Sequence, residues 1–321
     1  MHDPTEMARL IAALHTQDGA RPTALPGVSL FRVEHEVPRA PVFYEPGIIV
    51  LAQGSKTGYF GDSSYIYDPD RYLVMSVPLP FECETRASPD APLLGVRIDV
   101  EIGQLKTLIL QMEESRDTML DTETHPGAPM ASVELDAGMR DAVLRLLRML
   151  HDPMQRQILG PQYAREILFR ALQGSQGSAL RALAGRHGSY GRIARTLRRI
   201  HTEYASLLDI DTLAREANMS ISAFHHNFKE MTLTSPLQYL KSVRLHKAWL
   251  LLVQDGFSVS AAANLVGYES ASQFSREFKR YFGRSPALEL AATRDMTHAQ
   301  GSNTAAPIRA PDLRSDRAEL A

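Results

Sequence analysis

Cysteine is almost absent from this chain: Cys83 stands alone among 321 residues. One thiol cannot close an internal disulfide, and it excludes a cysteine-rich zinc site. Long apolar runs are missing as well, none approaching the ~18 residues that a membrane helix requires. The opening MHDPTEMARL carries two acidic side chains and lacks the basic start of a secretion signal. Together these absences predict a cytoplasmic protein with no membrane partner. Histidine is scarce where metal chemistry would need it, because residues 25–100 hold only His35. A metal-dependent β enzyme would want several histidines and a carboxylate on its strands. Neither a metal nor another cofactor is expected.

What is there describes a globular protein of at least two domains, 44% hydrophobic and 22% charged. Its net charge of −2 conceals an asymmetry. Residues 185–294 hold fifteen Lys and Arg against nine Asp and Glu, a net of +6, so the remainder carries −8. A basic block on an acidic remainder suits a nucleic-acid-binding module joined to something else.

Residues 28–100 read as short β segments, among them VSLFRVEHE, GIIVLAQ, RYLVMSV and LLGVRIDV, separated by the turn sequences GDSS, DPDR and SPDAP. Many short strands without intervening helices predict a small sandwich or barrel. From about residue 101 the apolar period changes to three and four residues, in LKTLILQMEE, MRDAVLRLLRML and ILGPQYAREILFRAL, which predicts amphipathic helices. The glycine-rich GSQGSALRALAGRHGSYG, residues 174–191, reads as a hinge. Helical patterning resumes beyond it to about residue 294, and residues 295–321 read as a disordered tail. The expected layout is an N-terminal arm (1–24), a β domain with trailing helices (25–185), a helical domain (186–294) and the tail.

The helical domain repeats itself. Shifted by 50 residues, Ser220, Ser222, Phe224, Phe228, Lys229, Ser235, Pro236 and Leu240 land on Ser270, Ser272, Phe274, Phe278, Lys279, Ser285, Pro286 and Leu290. Upstream the offset is 49, so Asn218 meets Gly267. The slip falls at a tight turn, where glycine adopts a left-handed conformation freely and asparagine is next best. Each copy, about 207–232 and 258–282, is helix, short turn, helix.

These residues resemble the DNA-binding region of the AraC/XylS family of bacterial transcription regulators. VGYESASQFSREFKRYFGRSP carries the likeness through Gly267, Tyr268, Ser272, Phe274, Phe278, Lys279, Phe282, Gly283 and Pro286. The first copy departs from the pattern: Asn218 replaces a usual glycine, and Leu233 sits where a small turn residue is common. LPGVSLFR, YEPGIIVLAQGSK and YLVMSVPLPFECE resemble the cupin-like effector domain of a subgroup of that family. The resemblance implies an α+β multidomain protein in which a cupin-like β-barrel with helices precedes an all-α double helix-turn-helix domain. It further implies double-stranded DNA and a small-molecule effector of unknown identity as partners, a homodimer formed by the helices after the barrel, and RNA polymerase as a candidate partner.

On the second helix of the first copy, Ser222, His225, His226 and Lys229 share the face opposite the phenylalanines. The second copy places Ser272, Ser275, Arg276 and Lys279 there, with Gln273 and Arg280 at its edges. Such a face enters the major groove, its first turns nearest the bases. Arg276 suits guanine, Gln273 suits adenine, and Ser222, Ser272, Ser275, His225 and His226 complete the base-facing set. Lys229, Lys279 and Arg280, further along, suit phosphate. Zinc would need further ligands beside His225 and His226, which point about 100° apart. A catalytic histidine pair would need a nucleophile that no motif supplies. A solvated polar face is the alternative without function, and the repeat argues against it. In the β domain, Arg71, Arg86 and Arg97 are candidate anion anchors for an effector. Cys83 is either a small buried hydrophobe or a thiol at that pocket. Two alternatives stand beside the sensing regulator: a constitutive DNA-binding protein whose barrel only dimerises, and a small-molecule enzyme with a helical appendage.

Overall fold

The computed structural model describes residues 4–114, 128–184, 189–253 and 255–291; the expected tail at 295–321 lies outside them. The N-terminal half runs α1 (Pro4–Leu14), β1 (Gly19–Pro22), β2 (Val28–Val33), β3 (Val37–Tyr44), β4 (Gly47–Gln53), β5 (Ser55–Phe60), β6 (Ser63–Tyr67), β7 (Arg71–Met75), β8 (Leu79–Arg86), β9 (Leu93–Asp99), α2 (Ile102–Glu114) and β10 (Met130–Glu134). Helices follow: α3 (Ala137–Leu150), α4 (Pro153–Gln173), α5 (Gly177–Ala184), α6 (Ser189–Glu203), α7 (Ile210–Glu216), α8 (Ile221–Thr232), α9 (Pro236–Val253), α10 (Val259–Leu265) and α11 (Ala271–Phe282).

The strands form a six-stranded antiparallel sheet ordered β1-β2-β9-β4-β7-β10 and a four-stranded one ordered β3-β8-β5-β6. β4 and β9 are apolar almost throughout because both faces of the large sheet are covered. The small sheet lies on one face, and α1, with Met7 and Ile11 buried, packs along the other. Strand β8 alternates, sending Leu79, Phe81, Cys83 and Thr85 inward.

The expected barrel does not close. β3 carries Pro38 and Pro41, which donate no backbone hydrogen bond, and its register with β8 shifts between Val37 and Ala40. Such a strand can pair on one side only, so it ends the small sheet. At the opposite corner the short polar β6 approaches β10 through Ser132 Oγ, which donates to the Ile66 carbonyl, without a ladder.

The glycine-rich stretch read as a hinge holds α5 instead. Ala179, Leu180, Leu183 and Ala184 are buried against α2, α4 and α6, because Ala and Leu at helical spacing outweigh the flanking glycines. Tyr190 on α6 then meets Ser76 of the β domain, Oη to Oγ 2.5 Å.

One hydrophobic core runs from the sheets through α6 into α7, α8 and the first turns of α9, taking in Phe224, Phe228, Tyr239 and Val243. A second, smaller core belongs to the last three helices and holds Leu245, Leu252, Val266, Phe274 and Phe278.

Candidate nucleic-acid interface

In the first unit, Asp209 caps α7 by accepting from Thr212 N at 3.0 Å, and the chain turns at Asn218, whose φ is +50°. Ser220 then caps α8, its Oγ accepting from Ala223 N. Phe224 and Phe228 are fully buried one turn apart, which commits the other side of α8 to solvent. Ser222, His225, His226 and Lys229 are all exposed on it.

The second unit repeats this with firmer turn chemistry. Gly267 has φ +84°, and a Cβ there would lie 2.5 Å from the Ala205 carbonyl oxygen, so the position needs glycine for both conformation and space. Ser270 caps α11, and Phe274 and Phe278 are buried. Ser272, Gln273, Arg276, Lys279 and Arg280 are exposed, whereas Ser275 is half-buried and gives its hydroxyl proton to the Ala271 carbonyl at 2.9 Å. Ser272 shares a hydrogen bond with Ser270 at 2.9 Å.

Two arrangements that sequence reading missed hold these faces in place. Arg244, on α9, donates Nε to Tyr204 O (2.7 Å), Nη2 to Ser206 O (2.9 Å) and Nη1 to Gly267 O (3.2 Å). It thereby ties the loop before the first unit to the turn of the second. Glu277, on α11, accepts from Lys241 Nζ (2.8 Å), Tyr268 Oη (2.8 Å) and Gln273 Nε2 (3.3 Å). Burial pushes the Glu277 carboxyl up, but these three donors, Lys241 foremost, leave it below its ordinary value and ionised. The i, i+4 spacing of Gln273 and Glu277 was the only sequence signal for either arrangement.

Comparison with known proteins agrees with this geometry. Residues 24–179 match the family model for the AraC-type transcriptional regulator N-terminus, and residues 213–289 match a helix-turn-helix domain model. The chain belongs to the AraC family of transcriptional regulators. It is 30% identical over 150 residues to the transcriptional activator RhaS of Escherichia coli, covering 45% of this chain and 53% of RhaS. With the Msm operon regulatory protein of Streptococcus mutans it shares 34% identity over 88 residues, 27% of this chain and 32% of that one. The chain thus spans about half or less of these curated relatives. A crystal structure of ToxT from Vibrio cholerae with a bound unsaturated fatty acid superposes with a TM-score of 0.59 at 12% identity, covering 82% of this chain and 94% of ToxT. That likeness shows the shared fold.

The four effector candidates of this AraC-family chain are not brought together. Arg71, at the edge of β7, donates to Ser132 Oγ and O and so joins β7 to β10. Arg86 is exposed, 3.8 Å from Glu84. Arg97 is buried and paired with Asp99 at 2.9 Å. Cys83 lies between the sheets, 3.5 Å from Tyr67 Oη. None of the four lines the cleft of about 540 Å³ where the two halves meet. Arg39, Tyr59 and Glu82 from the small sheet face Lys241, Glu277, Arg280 and Tyr281 there. Leu233, left-handed at φ +57°, closes the end of α8 beside Gly61. Among the described residues no cluster of three or more His, Cys, Asp or Glu could hold a metal ion, and no helix is long and apolar enough to cross a membrane.

Proposed function

We propose that this chain is a sequence-specific DNA-binding transcription regulator that reads a promoter with α8 and α11. The observation that carries the reading is the doubled face: two capped helices, each anchored by a buried Phe pair and each presenting polar and basic side chains to solvent. Ser222, His225, His226, Ser272, Gln273, Ser275 and Arg276 face the bases, while Lys229, Lys279 and Arg280 take phosphates. The 18 residues of α9 span about 27 Å, which is commensurate with the ~34 Å between successive major-groove segments.

A small-molecule effector would bias how the two helices are presented. The cleft between β3, β8, α9 and α11 supports this, since a molecule seated there touches both halves. ToxT, of the same fold, carries a fatty acid. Homodimerisation through the helices that follow the sheets is supported by the exposed Leu110 on α2 and Met154 and Ile158 on α4.

The full chain should enrich a defined sequence from a pool of duplexes with a randomised core. Binding to that sequence should weaken steeply with salt. Retention of DNA without enrichment of any sequence would refute base reading.

A further inference from the structure

We infer that Glu277 is a positioning residue that makes Gln273 select adenine against guanine. The inference rests on the base-reading role proposed for α11.

A carboxylate only accepts hydrogen bonds, so the Gln273 atom facing Glu277 Oε1 at 3.3 Å must be the amide nitrogen. That bond uses one N–H. It leaves the Gln273 carbonyl oxygen and the second N–H free at an exposed position in the first turn of α11. One acceptor beside one donor is the complement of adenine, which offers the N6 amino group and N7 in the major groove. Guanine offers two acceptors, O6 and N7. An unconstrained glutamine can turn its amide to give both N–H groups to guanine. Gln273 cannot do so while Glu277 holds one of them.

The constraint is firm because Glu277 is itself fixed from two other elements. Its side chain is only 14% exposed, and it accepts from Lys241 on α9 and from Tyr268 in the turn before α11. An isolated i, i+4 pair on a helix surface contributes little. Here the acceptor is sheltered and immobilised before DNA arrives, so the amide of Gln273 meets the groove already oriented. Glu277 does not need to touch DNA for this. Its own charge repels phosphate on every sequence alike, so an effect on base choice is separable from an effect on affinity.

The test uses the full chain and duplexes selected from a randomised pool. Gln273→Ala first identifies the base pair that Gln273 reads, as the position where the preference for adenine disappears. The ratio of affinities for adenine and guanine at that position is then measured for Glu277→Ala and Glu277→Gln. Thermal melts confirm that each variant is folded. Both variants should lower the ratio by about tenfold, the scale of one bidentate base contact, while tightening binding to unrelated duplexes. Combining either with Gln273→Ala should change the ratio no further. An unchanged ratio in folded Glu277→Ala and Glu277→Gln would overturn the inference and leave the base-reading role of Gln273 standing. A Gln273→Ala variant with wild-type preferences at every position would instead sink that role, and the inference with it.

Discussion

At the scale of single residues, the proposed reading divides the exposed faces of α8 and α11 between groups that would read bases and groups that would hold phosphate. Arg276 and Lys279 lie one turn apart, both exposed. Arg276 is nearer the helix start and its planar fork fits guanine O6 and N7, whereas Lys279 is a point charge suited to phosphate. Arg276→Ala should cost about 1–3 kcal/mol on the preferred duplex and much less on a scrambled one. Lys279→Ala should weaken both alike and lower the salt slope by about one ion. Titrations of both variants on both duplexes at several salt concentrations decide this, and equal losses for Arg276→Ala would make it a backbone contact. These faces were legible in the sequence because the buried Phe pairs impose the helical period, and whatever lies opposite must be solvated. Arg244 and the Lys241–Glu277 pair were not legible. Their partners lie tens of residues away, and only the folded chain brings them within 3 Å. Cys83, read either as a small hydrophobe or as a reactive thiol, is buried among inward-facing residues of the small sheet.

At the scale of elements, α9 joins the parts. It separates α8 from α11, carries Arg244 and Lys241, and buries His246 against α11 and β3. The His246 ring meets Tyr281, Phe282 and Phe43 edge-on or tilted, and its Nε2 is 3.2 Å from Tyr281 Oη. Burial above all, with Lys247 and His201 nearby, pushes its pKa down to about 3 from 6.5. A neutral native imidazole that charges on unfolding means the unfolded chain binds the extra proton between those two values. Stability is therefore fully present above about pH 6.5 and falls on acidification, by up to ~1.4 kcal/mol per pH unit. Carboxyls held low, such as Glu277, enter only below their ordinary value of 4.5, so they add nothing between pH 6.5 and 5. Denaturation followed by Trp249, the only tryptophan and packed on the second core, should show that slope in the wild type and lose it in His246→Leu. An unchanged slope would mean that another group is responsible. The elements that escaped sequence reading share a cause. α1 lies in the stretch whose sequence suggests an arm, β10 is a short strand added to a sheet edge far along the chain from its partner β7, and α5 sits among glycines that signal a hinge. In each case tertiary burial, not local propensity, decides the structure.

For the whole molecule, the distribution of cores sets the mechanics. The first unit shares the continuous core of the β domain, while the second has its own and meets the β domain through contacts of α9 and α11 with β3. The intervening cleft is lined by the end of α8 as well as by α9 and α11, so under the proposed function an effector seated there would touch both units. The two-part layout was visible in the change from period two to helical period. The open sheets were not, because closure depends on whether edge strands can pair, and Pro38 and Pro41 in β3 reveal that only once β3 is known to be an edge. The proposed function requires that both units of one chain read the same duplex. Footprinting the full chain on its selected duplex tests this most directly. Two protected major-groove segments per protomer are expected, about 10 base pairs apart on one face of the DNA. Protection of a single groove segment per protomer would contradict that requirement.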